Sequence, residues 1–139
     1  MKAKLFLVLT AVLAATAGCV DTVSDTHKAT MVPFSRDRVQ ARYERSVDVV
    51  YQAAFSVVGK NGVIVKEFIP HDTSNNVRSF QAKVDQCDVW VRVEADEDGK
   101  TTLITTEART KWGNSNLDLA IELDKQVALQ LQSQSGSGS

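Results

Sequence analysis

The chain has 139 residues, with 16 Lys and Arg against 17 Asp and Glu, and a formal net charge of −1. This balance excludes the strongly basic class of nucleic-acid-binding proteins, so no nucleic-acid partner is expected. Hydrophobic residues make up 43 % of the sequence, as in ordinary globular proteins. The length suits a single domain with one core.

Residues 1–18 have the pattern of a bacterial lipoprotein signal peptide. Lys2 and Lys4 precede an apolar run that ends near Ala15 and is too short to span a bilayer, which takes about 20 residues. Cys19 follows small residues at the end of this run. The pattern predicts that Cys19 is the lipid attachment site and the new N-terminus, and that the acyl chains hold the protein to a membrane.

A second cleavage site competes with this one. The small residues Ala15 and Ala17 also fit ordinary signal peptidase, which would cut after Ala17 and leave Cys19 free to pair with Cys87. If Cys19 is lipidated, Cys87 is unpaired and is expected to be a small buried residue on a strand. By resemblance to the sorting rule of enteric bacteria, Val20 after the cysteine favours the outer membrane of a Gram-negative bacterium, with the protein facing the periplasm. Asp21 at the next position leaves the inner membrane as the alternative.

Composition divides the rest of the chain into three parts. Residues 19–35 are rich in Asp, Thr and Ser and predict a flexible tether. Residues 36–132 predict a single domain, and residues 133–139 predict a disordered Ser/Gly tail.

The first half of the domain reads as strand, helix, strand. Alternation from Val39 to Tyr43 predicts a strand, and Ser46 is a suitable N-cap for a helix. Apolar residues at helical spacing continue that helix to Asn61, where Gly62 is expected to supply a left-handed stop. The β-branched residues after it predict a strand over 63–69.

The second half reads as three strands and a helix. Strands are predicted over 77–84, 87–95 and 101–110, with a tight turn at 96–99 between the last two. A final helix is expected from a cap at Asn114 or Ser115 to Gln132, with a wide apolar stripe. The fold class is therefore α+β, a two-layer sandwich with two helices on one face of a largely antiparallel sheet, in the order β-α-β-β-β-β-α.

Several short segments resemble a known family of bacterial lipoproteins. They are Val-Val-Tyr-Gln-Ala-Ala at 49–54, Gly62 before a strand, Val-Trp-Val-Arg-Val at 89–93, Glu-Ala-Arg at 107–109 and Trp-Gly-Asn at 112–114. Over about 90 residues the chain resembles the short bacterial lipoproteins of domain-of-unknown-function family 3568. Since the matching positions are packing and turn residues, the resemblance implies a fold and no activity.

No pattern indicates a cofactor, a metal site or a catalytic set. His27 and His71 lack a second ligand at zinc spacing. Glu94, Asp96 and Asp98 fit the first positions of a calcium loop, but Thr105 stands where its last glutamate belongs, so a hairpin turn explains them better. We therefore expect that the protein is not an enzyme.

Trp90 and Arg92 are the candidate partner-binding residues. They lie on the polar side of the strand over 87–95, where an exposed tryptophan among charges is typical of a binding anchor. An equal alternative is that the tether covers Trp90, or that Trp90 stacks on Arg92 within the domain. An arginine cluster at positions 36, 38, 42 and 45 fits either anionic lipid or a solvated strand face. Two functions remain: a domain that binds another envelope component, such as an envelope protein, and a small-ligand or lipid-binding domain with a pocket between the helices and the sheet.

Overall fold

The described part of the chain has two helices and six strands. A computed structural model describes the backbone of residues 32–35, and both backbone and side chains of residues 37–69 and 77–136. The elements in chain order are β1 Val32–Ser35, β2 Arg38–Tyr43, α1 Val47–Asn61, β3 Val63–Phe68, β4 Val77–Val84, β5 Cys87–Ala95, β6 Thr102–Arg109 and α2 Leu117–Gly136. From β2 onward this is the predicted order, and the α+β class is confirmed. The predicted signal peptide, Cys19, His27 and His71 lie outside the described residues.

The strands form one antiparallel sheet in the order β1-β2-β6-β5-β4-β3. The strands β3 to β6 are neighbours in sequence and in space, so three successive hairpin pairings build these four strands of the sheet. The strand β2 joins the far side of β6, and β1 pairs with β2 at the edge.

The strand β1 was not predicted, because its residues fall in the segment expected to be a tether over 19–35. Its sequence contains Pro33, which cannot donate a backbone hydrogen bond and is tolerated on edge strands. The sheet therefore starts at Val32, before the predicted domain boundary at residue 36.

Both helices cover the same face of the sheet. Every second residue of β5 is buried from Cys87 to Val93, and β6 alternates in the same way. The register places Val91 between Phe80 and Thr106, so the buried rows of neighbouring strands align. The helix α1 packs mainly on β3, β4 and β5, while α2 packs on β2 and β6.

The helix α1 begins as predicted. The Ser46 side chain accepts a hydrogen bond from the Val49 amide at 3.4 Å, and Asp48 lies in the first turn, where a carboxylate suits the helix dipole. Its buried residues pack on the sheet: Val50, Tyr51, Ala53, Ala54, Val57 and Val58.

Gly62 ends α1, but the predicted left-handed conformation is wrong. Its φ is −166°, an extended value open to any residue. A side chain is excluded for another reason: a Cβ atom at Gly62 would lie 2.1 Å from the Lys83 carbonyl oxygen of β4. Glycine is needed here because two backbones approach closely.

The turns between strands need positive φ angles. Gly99 has φ 68°, as predicted for the turn before β6. The tight hairpin between β4 and β5 uses Asp85 at φ 46° and Gln86 at φ 64°, with Val84 paired to Cys87. Two non-glycine residues with positive φ match a type I′ turn.

The helix α2 differs from the prediction at both ends. Its N-cap is Asn116, whose side-chain oxygen accepts from the Leu119 amide at 3.2 Å, since Ser115 instead forms a β-bridge with Arg109. At its other end the helix reaches Gly136, four residues into the segment predicted to be a disordered tail over 133–139. Ser135 is part of this last turn, because its hydroxyl donates to the Leu131 carbonyl oxygen at 3.1 Å.

Candidate binding face

The sheet has one face that α1 and α2 do not cover. We call it the open face, and it carries the outward side chains of β2 to β6. Trp90 lies near its centre, where Gln81 of β4 and Glu107 of β6 are its neighbours across the strands. The Trp90 side chain is 37 % exposed. An aromatic side chain of this size on a sheet surface can anchor a partner.

A shallow depression of about 240 Å³ surrounds Trp90. Outward side chains from five strands line it: Arg38, Phe68, Ser79, Trp90, Arg92, Thr105 and Glu107. Four intervals between five neighbouring strands, at about 4.8 Å each, give the depression a width of about 19 Å across the sheet. It is therefore a broad surface feature that crosses the strands.

Arg92 lies beside Trp90 on the open face, two residues along β5. Its guanidinium does not need the tryptophan ring as a partner, because Nε and Nη2 donate to Glu94 Oε2 at 3.1 and 2.8 Å. The structure thus brings the two predicted binding residues to one surface and ties the Arg92 head group to Glu94.

Ion pairs neutralise much of the open face. Arg42 Nε contacts Asp96 Oδ2 at 2.6 Å, and Arg109 Nε contacts Glu107 Oε1 at 2.5 Å. The hydrogen bond from Arg42, followed by one from the Glu97 amide, holds the pKa of the Asp96 carboxyl below its ordinary value. Glu107 raises the pKa of Arg109 by its hydrogen bond and its charge. Exposed pairs add little stability, so their main effect is a surface of alternating charge.

The predicted arginine cluster is dispersed. Arg36 lies outside the described residues, and Arg38 lines the depression. Arg42 pairs with Asp96, whereas Arg45 donates to Ser135 at the end of α2. These side chains contact different parts of the domain and do not form one basic patch.

The carboxylates of the suspected calcium loop serve the hairpin turn. Asp98 Oδ1 accepts from the Lys100 and Thr101 amides, both at 2.9 Å, and these bonds lower the pKa of Asp98. The Asp96 backbone amide and the Thr101 carbonyl oxygen close the turn at 2.8 Å. Within residues 37–69 and 77–136, no group of three or more His, Cys, Asp or Glu residues is placed to hold a metal ion.

Cys87 is buried at the start of β5, as the sequence predicted for this residue, and forms no disulfide within the described part of the chain, which does not include Cys19. The Asn116 side-chain nitrogen lies 3.4 Å from its sulfur. The thiol is 6 % exposed, which places it with structural cysteines.

On the face of the sheet that the helices cover, a group of polar side chains joins α1 to β3 and β4. The Tyr51 hydroxyl donates to Glu67 Oε1 at 2.5 Å, and Arg78 lies over the Tyr51 ring and contacts Asp48. Burial, and then Glu67, raise the pKa of the Tyr51 hydroxyl above its ordinary value. A phenol with a raised pKa is a weak acid and is poorly suited to proton transfer near neutral pH, so the role that fits this group is to tie α1 to β3 through Glu67.

Sequence reasoning missed the most unusual polar residue, Asp124 of α2. It is 1 % exposed, and neither carboxylate oxygen has a hydrogen-bond partner among the described residues. Burial raises its pKa to about 6. Its burial could have been predicted from its position, because Asp124 lies between Ala120 and Leu131 on the side of the helix that carries the apolar stripe.

The space between the helices and the sheet is occupied by buried side chains. The core there includes Phe80, Ile104 and Leu123, each no more than 2 % exposed. The depression around Trp90 lies on the opposite face, away from the pocket expected for a small-ligand domain.

No family model matches the chain, and no curated protein matches it. In the described part of the chain, neither helix is long and apolar enough to cross a membrane.

Proposed function

We propose that this chain is a lipid-anchored bacterial envelope protein whose domain binds another envelope component through the open face, without catalysis. The anchor is Cys19, which follows the signal-peptide pattern of residues 1–18. By the residue that follows the cysteine, its place is the outer membrane of a Gram-negative bacterium, facing the periplasm. Membership of domain-of-unknown-function family 3568, which short segments of the sequence resemble, is part of this proposal.

The position of Trp90 carries the binding half of the proposal. A large aromatic side chain lies at the centre of the one sheet face that the helices leave uncovered. Two ion pairs within the domain lie beside it, Arg92 with Glu94 and Arg109 with Glu107. This combination of a central aromatic anchor and a polar rim is the usual composition of a protein interface.

The size of the depression favours a macromolecule over a small ligand. Sites that enclose drug-sized molecules have volumes of about 300–1,000 Å³ and bury most of the ligand. The depression is about 240 Å³ and extends across five strands. Such a shallow surface suits a protruding side chain or loop of a partner.

The binding test compares two exposed tryptophans. Trp112 is 79 % exposed, lies after β6 and does not line the depression, so Trp112→Ala is a matched control for Trp90→Ala. The partner is to be captured from cross-linked native membranes with the wild-type chain and identified by mass spectrometry. Its affinity is then measured with all three proteins.

We expect Trp90→Ala to weaken that affinity about thirtyfold or more, the loss typical of a hot-spot residue, while Trp112→Ala binds normally. Trp112→Ala should unfold within about 1 kcal/mol of the wild type, as exposed positions usually do. Because Trp90 is partly packed on the sheet, binding by Trp90→Ala is compared at a temperature where circular dichroism shows that it is folded. Equal binding by all three proteins would contradict a role for the open face.

The anchor has an independent test. Radiolabelled palmitate should enter the wild-type chain and not the Cys19→Ser variant, because lipidation needs the cysteine thiol. Equal labelling of the two proteins would rule out lipid attachment at Cys19.

A further inference from the structure

Asp124 occupies a core position with no compensating partner. It lies in α2 among buried apolar residues such as Ala120, Leu123 and Val127. Both of its carboxylate oxygens are buried and make no hydrogen bond to the described residues. An ionised carboxylate is strongly disfavoured in such a place unless it is paired.

The elements packed against α2 offer it no cation. From β2, the ionisable group is Tyr43, whose hydroxyl is also buried without a hydrogen-bond partner in the described chain. Burial, and then the charge of Asp124, raise the pKa of Tyr43 above its ordinary value. The two groups therefore share one apolar region without satisfying each other.

The buried side chains of β6 and α1 near α2 also provide no cation for Asp124. The inward side chains of β6 near α2 are Thr102, Ile104 and Thr106, which do not ionise. From α1, the buried ionisable residue is Tyr51, whose hydroxyl is engaged by Glu67. The cation of α1 beside α2 is Lys60, which is exposed and lines a surface depression with Gln126 and Gln130.

Charged groups elsewhere near α2 point away or lie far off. On α2 itself, Glu122 and Lys125 are exposed. Arg45 contacts Ser135, eleven residues beyond Asp124, which is about 16 Å along the helix axis. The ionised form of Asp124 thus has no cation beside it in the described structure.

We propose that Asp124 is a proton-controlled latch, which holds α2 on the sheet more tightly when its carboxyl group is protonated than when it is ionised. This device is independent of the proposed binding function. Burial raises the pKa of Asp124 from 3.8 to about 6, and this shift sets the sign of the pH dependence of stability. A folded-state pKa above the unfolded value means that the stabilisation is fully present below pH 4 and is lost as the pH rises from about 4 to 6.

The test measures urea unfolding of the full chain at pH 5 and pH 7. Asp124→Asn keeps the shape of the side chain but cannot ionise, and Asp118→Asn is the control because Asp118 is exposed on the same helix. From pH 5 to pH 7 the unfolding constant of the wild type, divided by that of Asp124→Asn, should rise about tenfold. Groups other than Asp124 titrate alike in both proteins, so their contributions cancel in this ratio. The ratio for Asp118→Asn should stay constant. An unchanged ratio for Asp124→Asn would overturn the proposal.

Two measurements on the wild-type chain apply even if Asp124→Asn does not fold. The carboxyl ¹³C resonance of Asp124 should titrate with a midpoint near 6, and a midpoint near 4 would overturn the proposal. Hydrogen exchange locates the effect: from pH 5 to pH 7, protection of the α2 amides should fall more than that of α1, after correction for intrinsic rates. Equal changes in the two helices would refute a latch at α2.

Discussion

The close approach of Gly62 to β4 makes a prediction that the structure quantifies. In a Gly62→Ala variant the new Cβ atom would lie 2.1 Å from the Lys83 carbonyl oxygen and 2.8 Å from Val84 Cγ2. The first of these contacts is with backbone, which cannot rotate away as a side chain can. Because φ at Gly62 is −166°, alanine has no dihedral penalty and the contact alone decides the outcome.

The cost follows from the shift that relieves this contact. Ordinary van der Waals separations are above 3 Å, so the start of β3 must move about 1 Å from β4. Such overpacking costs about 1–3 kcal/mol, and weakening the Val63–Lys83 pairing adds about 1 kcal/mol. In the opposite direction, replacing glycine by alanine stabilises the folded state by about 0.4–1 kcal/mol, because it lowers the conformational entropy of the unfolded chain. The free energy of unfolding should therefore fall by about 2–3 kcal/mol, and the Tm of a domain of this size by about 10–20 °C.

Thermal and urea unfolding followed by circular dichroism measure this loss. Gly59→Ala is the matched control: Gly59 lies inside α1, and its nearest neighbour would be Ile64 Cγ1 at 4.0 Å. Alanine there should raise stability by about 0.5–1 kcal/mol through helix propensity. If Gly62→Ala proves as stable as the wild type, the close approach of α1, β3 and β4 is not the reason for glycine at this position.

Two further substitutions test local features. Gln86→Gly should raise the free energy of unfolding by about 0.5–1 kcal/mol, because the second turn residue of a type I′ hairpin favours glycine and Gln86 has φ 64°; a loss of stability in urea unfolding would show that the turn adopts another conformation. Ser46→Ala should lower it by about 1 kcal/mol through loss of the N-cap, measured in the same way, and no change would show that the 3.4 Å bond to the Val49 amide contributes little.

Periodic patterns predicted most of the fold. The alternation over 87–93 and the helical spacing after Ser46 each correspond to one buried side of an element. Because burial selects apolar residues at regular spacing, the type of element can be predicted from the sequence. The strand β1 escaped prediction because a short edge strand containing Pro33 has too few residues to show a period.

The candidate site was predictable in part. That Trp90 and Arg92 share a polar face follows from strand alternation, and the structure places them there. The depression around them depends on Arg38 and Phe68, which come from strands at opposite sides of the sheet, and long-range register cannot be read from local sequence.

Two other features needed three-dimensional information. The role of Gly62 depends on the position of Lys83 in the neighbouring strand. The isolation of Asp124 depends on which residues of β2, β6 and α1 surround it. In both cases the sequence identified the element that holds the residue, while the contact between elements set the physical role of the residue.

The strand order also has a consequence for how the domain folds. The strands β3 to β6 form hairpins between neighbours, which close short loops at small entropic cost. The pairing of β2 with β6 instead joins Gln40 to Thr105, a separation of 65 residues. Because contacts so distant in sequence are slow to form, β2 is expected to join a sheet that the hairpins have already begun, and the β2–β6 pairing to set the folding rate of the domain.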